Sequence, residues 1–148
     1  MILVKKIVPM AQKHLFTVND DALLTEAAKS LGDRLINLVV VCDPNRAMVG
    51  VITKTDVVRR MSVCQGCSCT ASVATVMTKD VISCCPGDSL HDVWLMMKER
   101  GLLHIPVVDE SSRPLGVISA RDALLMLLEG VEHEEALLRD YVMGIGYR

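Results

Sequence analysis

One phrase occurs twice in this chain. Gly50-Val51-Ile52-Thr53-Lys54-Thr55-Asp56 returns 66 residues later as Gly116-Val117-Ile118-Ser119-Ala120-Arg121-Asp122, and the same shift pairs Val41-Cys42-Asp43 with Val107-Val108-Asp109. A fixed period this long means two copies of one supersecondary unit. A unit of about 60 residues folds only marginally by itself, so a core shared between the copies is expected. The 148 residues are 51% hydrophobic, which suits one domain made of two halves.

Each copy reads as strand, helix, strand, strand, helix. In the second, Val81-Ile82-Ser83 is expected to be extended, and Cys85-Pro86-Gly87-Asp88 is turn chemistry. Ser89 or Asp88 caps a helix whose apolar positions Val93, Trp94, Met96 and Met97 follow helical spacing up to Gly101. Ile105–Val108 and Leu115–Ile118 flank a polar turn as a hairpin, and a helix opens at Ser119 and runs through Leu128. The first copy repeats this with an extended Leu15–Val18, a helix ending at Leu31, a hairpin around Asp43-Pro44-Asn45, and a helix from Thr53 to about Met61.

The fold class is therefore α/β (α+β): two pseudo-symmetric β-α-β-β-α repeats packed through their sheets, with a helical tail. The divisions are a first repeat over 1–62, a cysteine-containing linker over 63–72, a second repeat over 73–130 and a tail over 131–148. In the tail, Leu137, Leu138, Tyr141 and Val142 form one apolar stripe.

The net charge of −2 gives no bulk attraction to nucleic acid, and one Trp with one Phe leave no stacking platform. No apolar run reaches the roughly 20 residues of a membrane helix. The order of charges after Met1-Ile2-Leu3-Val4 is wrong for a secretory signal, so a cytoplasmic location is expected. In that setting the six cysteines are read as free thiols or metal ligands rather than disulfides.

Thr53-x-x-Asp56 and Ser119-x-x-Asp122 have the form of capping boxes, a hydroxyl followed three residues on by an acid. Such a box is worth about 1 kcal/mol to any helix. Its position after a Gly-Val-Ile strand in both copies also allows a second role, toward a ligand; the two are compatible.

Val76-Met77-Thr78, then His104-Ile105-Pro106-Val107-Val108-Asp109, then Gly116-Val117-Ile118-Ser119 with Asp122, resemble the cystathionine β-synthase (CBS) domain. Two in tandem resemble the CBS pair, or Bateman module, across residues 7 to 128. The first copy departs from the pattern, with Leu38-Val39-Val40-Val41 where the family prefers a Pro and Ala11-Gln12 where it has Met-Thr.

The resemblance implies a stand-alone regulatory module that binds adenosine-containing ligands, such as AMP, ATP, NAD or S-adenosylmethionine, between the repeats. It also implies a homodimer. By the same resemblance, Asp56 and Asp122 accept from ribose hydroxyls while Thr53 and Ser119 donate to phosphate at a helix start. Arg121 and His104 face phosphate. Thr78, Asp80 and Val81 line the adenine pocket, and Ile105 and Pro106 belong to the same set. With Arg121 opposite Thr55, the second cleft is expected to prefer the more anionic ligand.

Cys64-x-x-Cys67-x-Cys69 is not explained by the family. Thiolates so spaced can hold zinc or an iron–sulfur cluster, act as a redox switch, or remain inert. No catalytic constellation or phosphate loop is present, so no enzyme activity and no obligatory cofactor are expected. The preferred reading is an adenine-nucleotide or energy sensor that signals to a regulated protein of unknown identity. The alternatives are a structural or interaction dimer with empty clefts, or a metal- or redox-responsive module.

Overall fold

The computed structural model describes residues 1–63 and 70–130. The chain begins with a 3-10 turn at Val4–Lys6, helix α1 (Val8–Ala11) and a second 3-10 turn at Gln12–His14. Strand β1 (Thr17–Asn19), helix α2 (Leu24–Leu31), strands β2 (Leu38–Cys42) and β3 (Met48–Thr53), and helix α3 (Lys54–Val63) follow. The second half contains α4 (Val73–Val76), α5 (Leu90–Arg100), β4 (His104–Val108), β5 (Pro114–Ser119) and helix α6 over residues 120–130.

The two hairpins are superimposable in register. Leu38 pairs Thr53 as His104 pairs Ser119, Val41 pairs Gly50 as Val107 pairs Gly116, and each has an irregularity just before its turn. The turns match as well. Asp43 Oδ1 accepts from the backbone of Asn45 and Ala47, and Asp109 Oδ1 from that of Ser111 and Arg113. The shift-related Arg46 and Ser112 both take left-handed backbone, at φ 67° and 62°. In α5, Ser89 accepts from the Asp92 N–H and Gly101 closes the helix at φ 66°, as the sequence implies.

One expected strand is missing. Residues 81–83 form none; pairing is reduced to a single parallel bridge between Cys84 and Val107, the shift partners of Val18 and Val41. The reason lies in the neighbouring strand. In the first sheet the Val40 N–H donates to Phe16 O at 2.8 Å. Its counterpart is Pro106, which has no N–H, so the ladder cannot extend toward Ile82. The first sheet accordingly has three strands in the order β1-β2-β3 and the second has two.

Alternation along β2 explains how the halves meet. Val39 and Val41 face the helices of their own half, in a core with Leu24, Ala27, Leu31 and Ile52. Leu38, Val40 and Cys42 face the other way and pack with Val51 and with Val117 of the second sheet. The sheets thus share a buried layer.

The segments that lead into each repeat cross over. Val4, Ile7 and Ala11 are buried in the core of the second half with Leu90, Met97, Ile105 and Ile118. Val73 is buried in the core of the first half. Backbone bonds fix the exchange: Val4 N–H to Asp88 O and Leu90 N–H to Ile2 O on one side, Val73 N–H to Ala22 O and Leu24 N–H to Ala71 O on the other. The two glycines of the repeated phrase face these segments. A Cβ on Gly116 would lie 2.7 Å from Ala11 Cβ and 2.8 Å from its carbonyl carbon, and one on Gly50 would lie 2.6 Å from Met77 Sδ.

Candidate functional site

The first residues of β2 and β4, Leu38 and His104, line a common cavity, and their partner strands β3 and β5 end opposite them at Thr53 and Ser119. That places the start of α3, the start of α6 and both crossing segments around one pole of the molecule. The bridge between Val51 and Thr78 brings the second lead segment to β3, and the turn at Gln12–His14 packs on β5. The pole holds three adjoining cavities, and His104 lines all of them.

The innermost cavity, about 200 Å³, is lined by Thr53, Thr78, Asp80, Val81, His104, Ile105 and Pro106, with Leu38, Val51, Ile82 and Leu102. Seven of the expected ligand positions therefore converge on one space. The outermost cavity, about 470 Å³, holds Ser119, Arg121, Asp122 and His104 together with His14, Arg34 and Asn37. Between them a cavity of about 350 Å³ is bordered by Asn37, Thr53, Lys54 and Leu103. Ten of the eleven expected residues thus line this crevice.

Asp56 is the exception. Its Oδ2 accepts from the Thr53 N–H at 3.0 Å and from Thr53 Oγ1 at 3.1 Å, and its own N–H donates to Thr53 Oγ1. This is a closed capping box, and Asp56 lines none of the three cavities. Asp122 behaves differently. Its N–H donates to Ser119 Oγ at 3.0 Å, but its carboxylate turns to His14, with Nε2 and Oδ2 at 3.2 Å. One motif in sequence thus yields two local structures.

His14, Arg34 and Asn37 also line the outer cavity, and reading by motif missed them. His14 carried a usable signal: it is the 66-residue shift partner of Asp80. Arg34 and Asn37 lie in the α2–β2 connection and had none. The His104 imidazole is held below its ordinary range, chiefly by burial and then by His14, with Asp122 opposing.

A further cavity of about 580 Å³ lies at the opposite pole, among the hairpin turns, lined by Asp43, Arg46, Asp109 and Arg113 with Cys42. Burial pushes the Cys84 thiol up to about 12, with Asp88 and Cys85 adding to the shift, and burial beside Asp43 also raises Cys42. Both thiols are therefore protonated and poor nucleophiles at neutral pH. Cys64, Cys67 and Cys69, and the tail stripe, lie outside the described residues. Among the described residues no cluster of three His, Cys, Asp or Glu is placed to hold a metal, and no helix is long and apolar enough to cross a membrane.

Comparison with known proteins agrees with this architecture. The family model for the CBS domain matches residues 4–63 and again 73–129. An uncharacterized 17.7 kDa protein of Acidianus ambivalens is 27% identical over 84% of this chain and 74% of its own length. Inosine-5'-monophosphate dehydrogenase of Nitrosopumilus maritimus is 28% identical over 72% of this chain, which spans 21% of that enzyme. The crystal structure of the CBS-domain protein ATU1752 of Agrobacterium tumefaciens superimposes with a TM-score of 0.71 at 29% identity, covering 84% of this chain and 98% of the other. So does the CBS domain pair of protein MJ0100, solved with 5'-methylthioadenosine and S-adenosyl-L-methionine, with a TM-score of 0.71, 25% identity, and 88% and 98% coverage. The chain belongs to the CBS-domain family, as a tandem pair.

Proposed function

We propose that this protein is a regulatory module that binds an adenosine-containing small molecule in the crevice around His104 and passes the resulting change to a partner protein. The observation that carries the reading is convergence. Residues from both repeats and both crossing segments line three adjoining cavities that share His104. The innermost, with Val51, Val81, Ile105 and Pro106, offers aliphatic walls for a flat base. The outermost offers Ser119 at a helix start with Arg121 and Asp122, suited to phosphate and ribose hydroxyls. The complex of the MJ0100 pair with two adenosine compounds supports the ligand class.

The role is regulatory rather than catalytic. The enzymes among the relatives match this chain over only about a fifth of their length, 21% for the dehydrogenase and 21% for a homoserine O-acetyltransferase. A ligand bound where four segments meet shifts the halves only by its differential affinity for their arrangements. A homodimer is part of the proposal. Val58 and Met61 on α3 are about two-thirds exposed, and Leu124, Leu125 and Leu128 on α6 add further exposed apolar surface. These side chains gain by burial against a second copy.

Thermal unfolding with a panel of AMP, ATP, NAD, S-adenosylmethionine and methylthioadenosine tests the reading. A ligand at a hundred times its dissociation constant adds about 2.7 kcal/mol. A panel in which no compound raises the midpoint refutes it.

A further inference from the structure

His14 stands on Asp122 from the far end of the chain. The two are 108 residues apart, and their facing atoms lie 3.2 Å apart at the mouth of the outer cavity. The side chains are 34% and 24% exposed, so the contact meets solvent and a ligand can reach it. The backbone under His14 is fixed. Leu15 N–H donates back to Gln12 O, and Ala11 sits against Gly116 with no room between them. The imidazole is thus partly open to solvent while the backbone just before it is packed against β5 at the cavity rim.

Among the described residues the other repeat has no such contact. The shift partner of His14 is Asp80, and the shift partner of Asp122 is Asp56, which Thr53 already satisfies. Among the described residues, His14 and Asp122 in the outer cavity are the one imidazole–carboxylate pair within hydrogen-bond distance. The charged and titratable groups that share this cavity with the imidazole are Asp122 and Arg121 from α6, His104 from β4 and Arg34 from the α2–β2 connection. Deeper in the crevice lie Lys54 and Asp80.

We propose, building on the adenosine-ligand reading, that His14 is a proton-linked specificity gate for the outer cavity. While it holds Asp122, an uncharged adenosine compound must displace it before its hydroxyls reach the carboxylate. A phosphorylated compound brings an anion that takes over the imidazolium, with Arg121, Arg34 and His104 beside it, and so frees Asp122. Protonation strengthens the hold on Asp122 against uncharged ligands and strengthens the attraction for phosphorylated ones. The gate therefore separates the two classes more sharply as pH falls.

The test compares AMP with adenosine on the full-length protein and its His14→Ala variant. Binding is followed through the imidazole NMR signal of His104, which reports this crevice. In the parent protein the preference for AMP over adenosine is expected to grow several-fold from pH 8 to pH 6.5. In His14→Ala, AMP is expected to weaken and adenosine to tighten, lowering the preference about tenfold and removing most of its pH dependence. His14→Gln, which keeps a hydrogen bond to Asp122 but no titration, is expected to retain weak adenosine binding and lose the pH dependence. Equal changes for both ligands, or an unchanged pH profile, would overturn the gate and leave the adenosine reading intact. Binding of neither compound to any of the three proteins would overturn both.

Discussion

At the scale of single residues, shift-related positions are not equivalent in work. Asp56 closes a capping box; Asp122 leaves its carboxylate to the cavity. Asp122→Ala is therefore expected to weaken adenosine-ligand binding at least tenfold, by loss of a charged acceptor worth about 1.5–3 kcal/mol. Asp56→Ala is expected to cost helix stability instead, about 1 kcal/mol in urea unfolding. The reverse order in titration calorimetry would show that the carboxylates are misassigned. Gly116→Ala forces a methyl onto the Ala11 backbone and is expected to destabilise by about 1–3 kcal/mol. Gly50→Ala meets a flexible Met77 side chain as well as Thr78 O, and is expected to cost less.

His104 adds a pH dependence whose sign follows from its depressed folded-state pKa. The unfolded chain binds its proton more readily, so the associated stability is present above the ordinary imidazole value of about 6.5 and is lost as pH falls through the folded value. Unfolding midpoints measured from pH 8 to 5 should show this loss, and His104→Leu should flatten it. The repeated motif made Asp56 and Asp122 visible, but the choice between cap and ligand contact is made by what stands across from each. A single sequence does not display that.

At the scale of elements, both hairpins, their turns and the boundaries of α5 were legible, because Gly, Pro, Asp and Ser act locally. The strand expected over residues 81–83 was not formed, because strand pairing depends on a neighbour distant in sequence. Pro106 removes the donor that Val40 supplies in the first copy. Pro106→Val restores an N–H opposite Ile82. Its amide is expected to be protected in hydrogen exchange, with the Cys84 bridge lengthened into a short strand. A rapidly exchanging amide at position 106 would show that something other than the missing donor ends the ladder.

At the scale of the whole molecule, the repeat seen in sequence is not the unit that packs. Each lead segment serves the other half, so the two cores are tied together by the chain itself. The crossing was hidden because the copies differ in spacing there. Leu3 pairs Ser89 as Leu23 pairs Ser72, a shift of 69 for the lead residues, whereas Ala11 and Met77 are 66 apart. The first copy spends three additional residues on its lead segment, and a fixed-period comparison passes over it. Ile7→Ala, at a fully buried position, is expected to destabilise by about 2–5 kcal/mol. Because the halves exchange segments, both should still unfold in one transition, seen as coincident curves from Trp94 fluorescence in the second half and from amide signals of β2 in the first. Separate transitions would mean the halves are not coupled as described.

The shared crevice is the consequence of that exchange, and backbone NMR during titration with AMP or methylthioadenosine tests it most directly. Shifts concentrated on Thr53, Thr78, Val81, His104, Ser119 and Asp122 are the expected result. Shifts confined to the opposite pole, at Asp43, Arg46, Asp109 and Arg113, or no shifts at all, would contradict the account.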